Sequence, residues 1–269
     1  MKLPFKLLLV LLCWISICQI GVAEEKPWME VRSPHFRLIT NGSESVGRHM
    51  ARQFELIRAV FASQFPGFQL EGNGPLLILA PQDKEIARGI HLSENIAGLY
   101  LHGWERDYAV VRLDAVASDV RNPDTYAVVY HEYVHSLLHV NFRWIPSWLD
   151  EGLAEFYGYT RFEGDKMYIG APPRNRRRLD ILYQKVTPPI ATFITTRRFY
   201  QRNHEDLYMS YAQGWALVHF LTFGPGMGNG QRLKQFFNAL QRGIEQKKAF
   251  EETFGSFEVI QKQYDSYIF

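Results

Sequence analysis

His131-Glu132-Tyr133-Val134-His135 constrains this chain more than any other stretch of its 269 residues. Histidines four positions apart share one face of a helix, where their imidazoles can converge on a single metal ion at about 2.0 to 2.1 Å. The glutamate between them then reaches the water that such an ion would hold. This HExxH pattern therefore asks for a helix, and the flanking apolar residues Val128, Val129, Val134 and Leu138 can bury one. A hydrolytic zinc site takes three protein ligands and keeps a fourth position open, so a further donor has to come from another element. The segment 148–157, WLDEGLAEFY, supplies it. A reversal at Ile145-Pro146 would return a second helix alongside the first and bring Glu151 to the metal. Asp150 is the competing donor, but on a helix it points about 100° away from Glu151.

From His131 to Tyr157 the chain resembles the gluzincin clan of zinc metallopeptidases, in which HExxH is followed on a second helix by a ligand glutamate, often in a W-L-x-E-G-x-A setting. Within that clan it is most similar to the bacterial peptidase-MA-like family of exported proteins. Fainter traces lie in SPHFRLIT and SYAQGWALVHFL. The resemblance implies an α+β, zincin-like fold, with a mixed β-sheet in the N-terminal half, an active-site helix, and a mainly helical C-terminal half. It implies one zinc ion per chain held by His131, His135 and Glu151, with Glu132 as catalytic base. Glu155 matches the carboxylate that orients a ligand histidine by accepting its second N–H. Tyr211, ahead of Tyr208 and His204, matches the donor that would steady a developing oxyanion. Fifteen residues separate His135 from Glu151, fewer than in thermolysin-like families, so the connection must be tight and substrate specificity does not transfer. A metzincin would need glycine and histidine where Leu138 and Asn141 stand, which leaves His139 at the surface or behind a ligand.

The segment 31–40, VRSPHFRLIT, alternates as a strand broken at Pro34, and 45–64 has helical apolar spacing up to Pro66-Gly67. LLILA, between Pro75 and Pro81, predicts a buried strand, and 96–101 and 108–113 two more, joined by HGWERD. Ala97-Gly98-Leu99-Tyr100 is the expected edge strand, able to hold an extended peptide by backbone pairing. Asp124 is the expected N-cap of the HExxH helix, which runs to about Asn141. Ser147 opens the next helix, and further helices are expected over 207–223, 230–242, 247–254 and 258–267. The stretch 171–178, APPRNRRR, reads as a surface loop with a solvated arginine cluster, Arg174, Arg176, Arg177 and Arg178, and Thr187-Pro188-Pro189 as a break.

Lys2 and Lys6 precede an apolar run from Leu7 to Ile17 that ends near Gly21-Val22-Ala23, the layout of a secretory signal peptide cleaved after Ala23. Residues 24–269 would then form one metallopeptidase domain, with a β-containing lobe at 24–121 and a helical lobe at 122–269. The same run kept uncleaved would be an anchor. Either way the chain is expected outside the cytoplasm, secreted or periplasmic, without stable membrane insertion once cleaved. Both cysteines, Cys13 and Cys18, fall in the segment to be removed, so the core alone must hold the fold. A formal charge of +2 is too slight to argue for nucleic acid or an anionic membrane as a partner, and neither is expected. The function class that follows is a zinc-dependent hydrolase acting on a peptide or protein. A non-catalytic zinc-binding module and a cell-wall amidase are the alternatives compatible with these residues.

Overall fold

The computed structural model describes residues 27–72, 74–90, 97–103, 105–116, 124–173, 177–184, 187–196 and 204–268. The signal-peptide prediction, Ile96, Arg174 and Arg176 lie outside them. Pro34 divides the first extended segment into β1 (Met29–Arg32) and β2 (Phe36–Thr40), which fold back as an antiparallel pair. Helix α1 (Glu44–Gln64) follows, its first turn capped by Ser43 Oγ, which accepts from the Val46 N–H. LLILA forms β3 (Leu76–Ala80), parallel to β2. The short α2 (Lys84–Gly89) lays Ala87 against Leu79, Leu99 and Val110, covering the sheet face opposite α1. Next come β4 (Gly98–Leu101), β5 (Tyr108–Val111) and a single turn, α3 (Leu113–Val116). The sheet order is β1-β2-β3-β5-β4, with β3 and β5 parallel and β4 antiparallel to β5 at the edge.

Helix α4 (Ala127–Asn141) carries the HExxH residues and packs on both α1 and β4. Tyr133 is wedged edge-on between Phe36 and Phe54, with ring centres 5.3 and 6.2 Å away. Such aromatic contacts add about 0.5–1.5 kcal/mol each beyond area burial, and these fix the rotation of α4 about its axis. Asp124 does not cap this helix. Tyr126 occupies the cap position without a side-chain hydrogen bond, and Asp124 Oδ1 instead accepts from Arg161 Nη2 at 3.1 Å. Asp124 stands two residues ahead of the cap position, and its carboxylate meets a full positive charge on the neighbouring strand there.

Pro146 then turns the chain, its carbonyl accepting from both Leu149 and Asp150 N–H, and α5 (Ser147–Gly158) returns beside α4. Every residue of α5 from Trp148 to Gly158 is buried. A hairpin follows, β6 (Arg161–Glu163) and β7 (Lys166–Tyr168), turning at Gly164 with φ +63°. The arginine-rich stretch is not wholly loop, because Arg177 opens α6 (Arg177–Gln184). After the Pro188-Pro189 break come α7 (Ile190–Thr195), α8 (His204–Phe223), α9 (Gln231–Gln241), α10 (Gln246–Phe254) and α11 (Phe257–Ile268). The protein is thus mixed α+β, with a mixed N-terminal sheet and a mostly helical C-terminal half. Among the described residues no helix is long and apolar enough to cross a membrane.

α5 and α8 meet backbone to backbone where Gly152 faces Gly214. A Cβ on Gly152 would stand 2.8 Å from the Gly214 carbonyl oxygen. Gly152→Ala must therefore force the helices apart rather than push aside a flexible side chain. Overpacking of about 1–3 kcal/mol outweighs the roughly 1 kcal/mol that alanine gains in helix propensity. The variant is expected to melt below the parent in a thermal unfolding scan. An unchanged or higher Tm would contradict this packing.

Candidate metal centre

The fold brings α4 and α5 together with their chemistry facing inward. His131 Nε2 lies 3.1 Å from His135 Nε2, and Glu151 Oε2 lies 3.3 Å from the first and 3.6 Å from the second. Ligand bonds of about 2.1 Å around a tetrahedral ion place neighbouring donor atoms roughly 3.4 Å apart. The three donors already have that spacing, so the site fits a metal ion without rearrangement, and His131, His135 and Glu151 could hold one.

Charge points the same way. Glu132, Asp150, Glu151 and Glu155 are each 6 % exposed or less, an arrangement that a protein interior tolerates only with paired charge or a cation. Burial alone would raise the Glu151 carboxyl, but the His131 and His135 imidazoles beside Oε2 win and hold it well below the usual carboxylate range. Burial likewise works against protonation of the two imidazoles. Glu151 for His131, and Asp150 with Glu151 for His135, reverse that and raise both. Glu132 behaves differently. Burial pushes its carboxyl up, and the two neighbouring histidines offset this incompletely. The Tyr100 backbone on β4 opposes this slightly, favouring the ionised carboxyl. The strand comes so close that a Cβ on Gly98 would lie 2.8 Å from both Cγ and Oε1 of Glu132.

Behind the imidazoles stands a second set of carboxylates. Asp150 Oδ1 is 2.8 Å from His135 Nδ1, and its other oxygen, Oδ2, is 3.0 Å from His139 Nε2. Burial would raise Asp150, but these two histidines hold it below its usual range, so it is ionised and acts only as an acceptor. His135 Nδ1 must then donate, so the proton that His135 gives up on binding a metal ion comes from Nε2, whose lone pair then points at Glu151 and His131. Glu155 Oε1 faces His131 Nδ1 at 3.5 Å and stands where it can do the same for that ring.

Of the site residues singled out from the sequence, the structure brings His131, Glu132, His135, Glu151 and Glu155 together, with Tyr211 beside them. The Tyr211 ring, on α8, packs edge-on against His131 at 6.4 Å between centres. Tyr208 is exposed, and the side chain of His204 is outside the described set. Sequence reasoning missed Asp150 as the support of His135, having weighed it only as a rival ligand, and missed its link to His139. The signal was there: His139 extends the i, i+4 series behind His135, and Asp150 adjoins Glu151. His135, His139 and Asp150 form a second group of donors that could hold a metal ion. A small hollow on another face of α4, lined by His35, Tyr133 and Ser136 among others, contains none of the first group. Compared with protein-family models and with curated proteins, the chain matches none.

Proposed function

We propose that the protein is a zinc-dependent hydrolase of amide bonds, a peptidase with a zincin-like fold, exported through its N-terminal segment. His131, His135 and Glu151 hold one zinc ion and Glu132 is the catalytic base. The observation that carries this reading is the convergence of three donor atoms at 3.1–3.6 Å beside a buried glutamate with raised proton affinity. Two imidazoles and a carboxylate, held by further carboxylates behind the rings, suit zinc. An ion there would supply Lewis-acid polarisation of the scissile carbonyl and acidify a water molecule.

The chain's own residues do the rest. Glu132 takes a proton from the attacking water and passes it to the leaving amine, which requires a carboxyl able to hold that proton near neutral pH. Burial raises it in that direction. Asp150 and Glu155 keep the two rings turned with Nε2 toward the ion. Among the described residues β4 is the edge strand and lies against Glu132, so an extended substrate pairing with it would run alongside the base and the three donors. Tyr211, beside His131, is the group assigned to donate to the developing oxyanion.

Purified protein is expected to carry one zinc per chain by elemental analysis. It is also expected to cleave members of a peptide library in a reaction stopped by a chelator and restored by zinc. Protein isolated without zinc overturns the site. Stoichiometric zinc with no turnover of peptide or cell-wall amide substrates keeps the site and removes the enzyme.

A further inference from the structure

On the side of His135 away from Glu151 lie donors that the proposed hydrolysis does not use as ligands. Asp150 divides its two oxygens, Oδ1 to His135 Nδ1 at 2.8 Å and Oδ2 to His139 Nε2 at 3.0 Å. His139 is at the surface, with its side chain 37 % exposed and its ring packed 5.4 Å from that of Tyr100 on β4. The ring of His102, just past the end of β4, is centred 6.5 Å from that of His139 and is 66 % exposed. Its Nδ1 is bonded to Asp107 Oδ1 at 2.7 Å, which orients the imidazole and leaves Nε2 as its second donor atom.

We propose that His139, Asp150 and His102 form a second, exchangeable site for a transition-metal ion, one imidazole away from the buried centre. Two imidazoles and one carboxylate favour borderline ions such as zinc, copper(II) or nickel over calcium or magnesium, which take oxygen ligands. His139 Nε2 and Asp150 Oδ2 already stand 3.0 Å apart, close to the edge of a tetrahedral ligand shell. Two imidazoles on one tetrahedral ion have ring centres roughly 5 Å apart, so His102 has to swing inward by about 1–2 Å. An exposed side chain can make that movement. Because Asp150 keeps Oδ1 on His135 and offers Oδ2 outward, the two sites can be filled together. The outer one is weaker, since one of its donors must be recruited from solvent while the buried three stand in register.

The proposal takes the first site from the function proposed above, and one titration separates the two. Full-length protein stripped with a chelator is titrated with zinc chloride in a calorimeter, with calcium chloride as control. The parent is expected to take up two equivalents of zinc in a tight and a weaker step, and no calcium. Glu151→Ala should lose the tight step and keep the weak one. The exposed double variant His102→Ala, His139→Ala should lose the weak step and keep the tight one, with an unchanged circular dichroism spectrum. A parent that binds one equivalent, lost in Glu151→Ala, overturns the second site alone. A single equivalent retained in Glu151→Ala and lost in the double variant supports the second site and sinks the first. A double variant that still binds two equivalents overturns the proposal outright.

Discussion

Glu132→Gln is expected to bind a full equivalent of zinc and to lose amide hydrolysis by about 10²–10⁴-fold, the usual contribution of a positioned general base. The substitution keeps shape and size while removing the proton acceptor, and Glu132 is not among the three converging donors. It carries a second, independent reading. Burial raises the Glu132 carboxyl, so its ionisation costs the folded state. The stability linked to this group is complete below the ordinary carboxylate range and is lost as pH rises through the raised value. Glutamine never ionises. Metal-free Glu132→Gln should therefore melt above metal-free parent at about pH 7, the difference fading toward about pH 4. Activity near that of the parent with normal zinc content would remove Glu132 from the catalytic role.

Glu151→Ala is expected to fail at an earlier stage. It deletes one of three donors at the buried centre, so zinc affinity should drop by more than the roughly 10–100-fold typical of losing a supporting partner. It also leaves His131 and His135 facing each other with no carboxylate between them and opens a gap on a wholly buried helix. Glu151→Gln separates these effects by keeping the volume and one oxygen. Competition with a chromogenic chelator should rank zinc affinity as parent, then Gln, then Ala. If Glu151→Ala holds zinc at the buried centre as tightly as the parent, the third ligand lies elsewhere. The two glutamates stand nineteen positions apart in the chain, yet their variants should differ in kind, one silent in metal content and the other defined by it.

What could be read ahead of the structure follows from range. LLILA and the Ser147 helix match the predicted boundaries because their punctuation is local: a proline beside each end of one and a proline turn before the other. The three converging donors were legible because helical geometry relates His131 to His135, and a tight proline turn returns Glu151 to them. Asp124 was misassigned because its cap role is a local preference and its partner, Arg161, lies 37 positions away. The β6–β7 hairpin and the short α2, α3 and α7 carry too few residues for periodicity to show. Asp150 was harder still. The 100° between it and Glu151 was read correctly as divergence, but the two directions fall on opposite nitrogens of one imidazole, and only the packing of α5 on α4 reveals that.

That packing has a consequence for how the site behaves when empty. α5 has no exposed residue between Trp148 and Gly158 and touches α8 through bare backbone at Gly152 and Gly214. With α4 and α8 packed on it, its amides are expected to meet solvent only when both separate from it. Deuterium should enter this segment at the rate of global unfolding, with or without an ion. That result would make the spacing of the three donors a property of the scaffold and not of a bound ion. Stripping the ion should leave the exchange map nearly unchanged, unlike small metal-nucleated domains, which lose their fold along with their ligand.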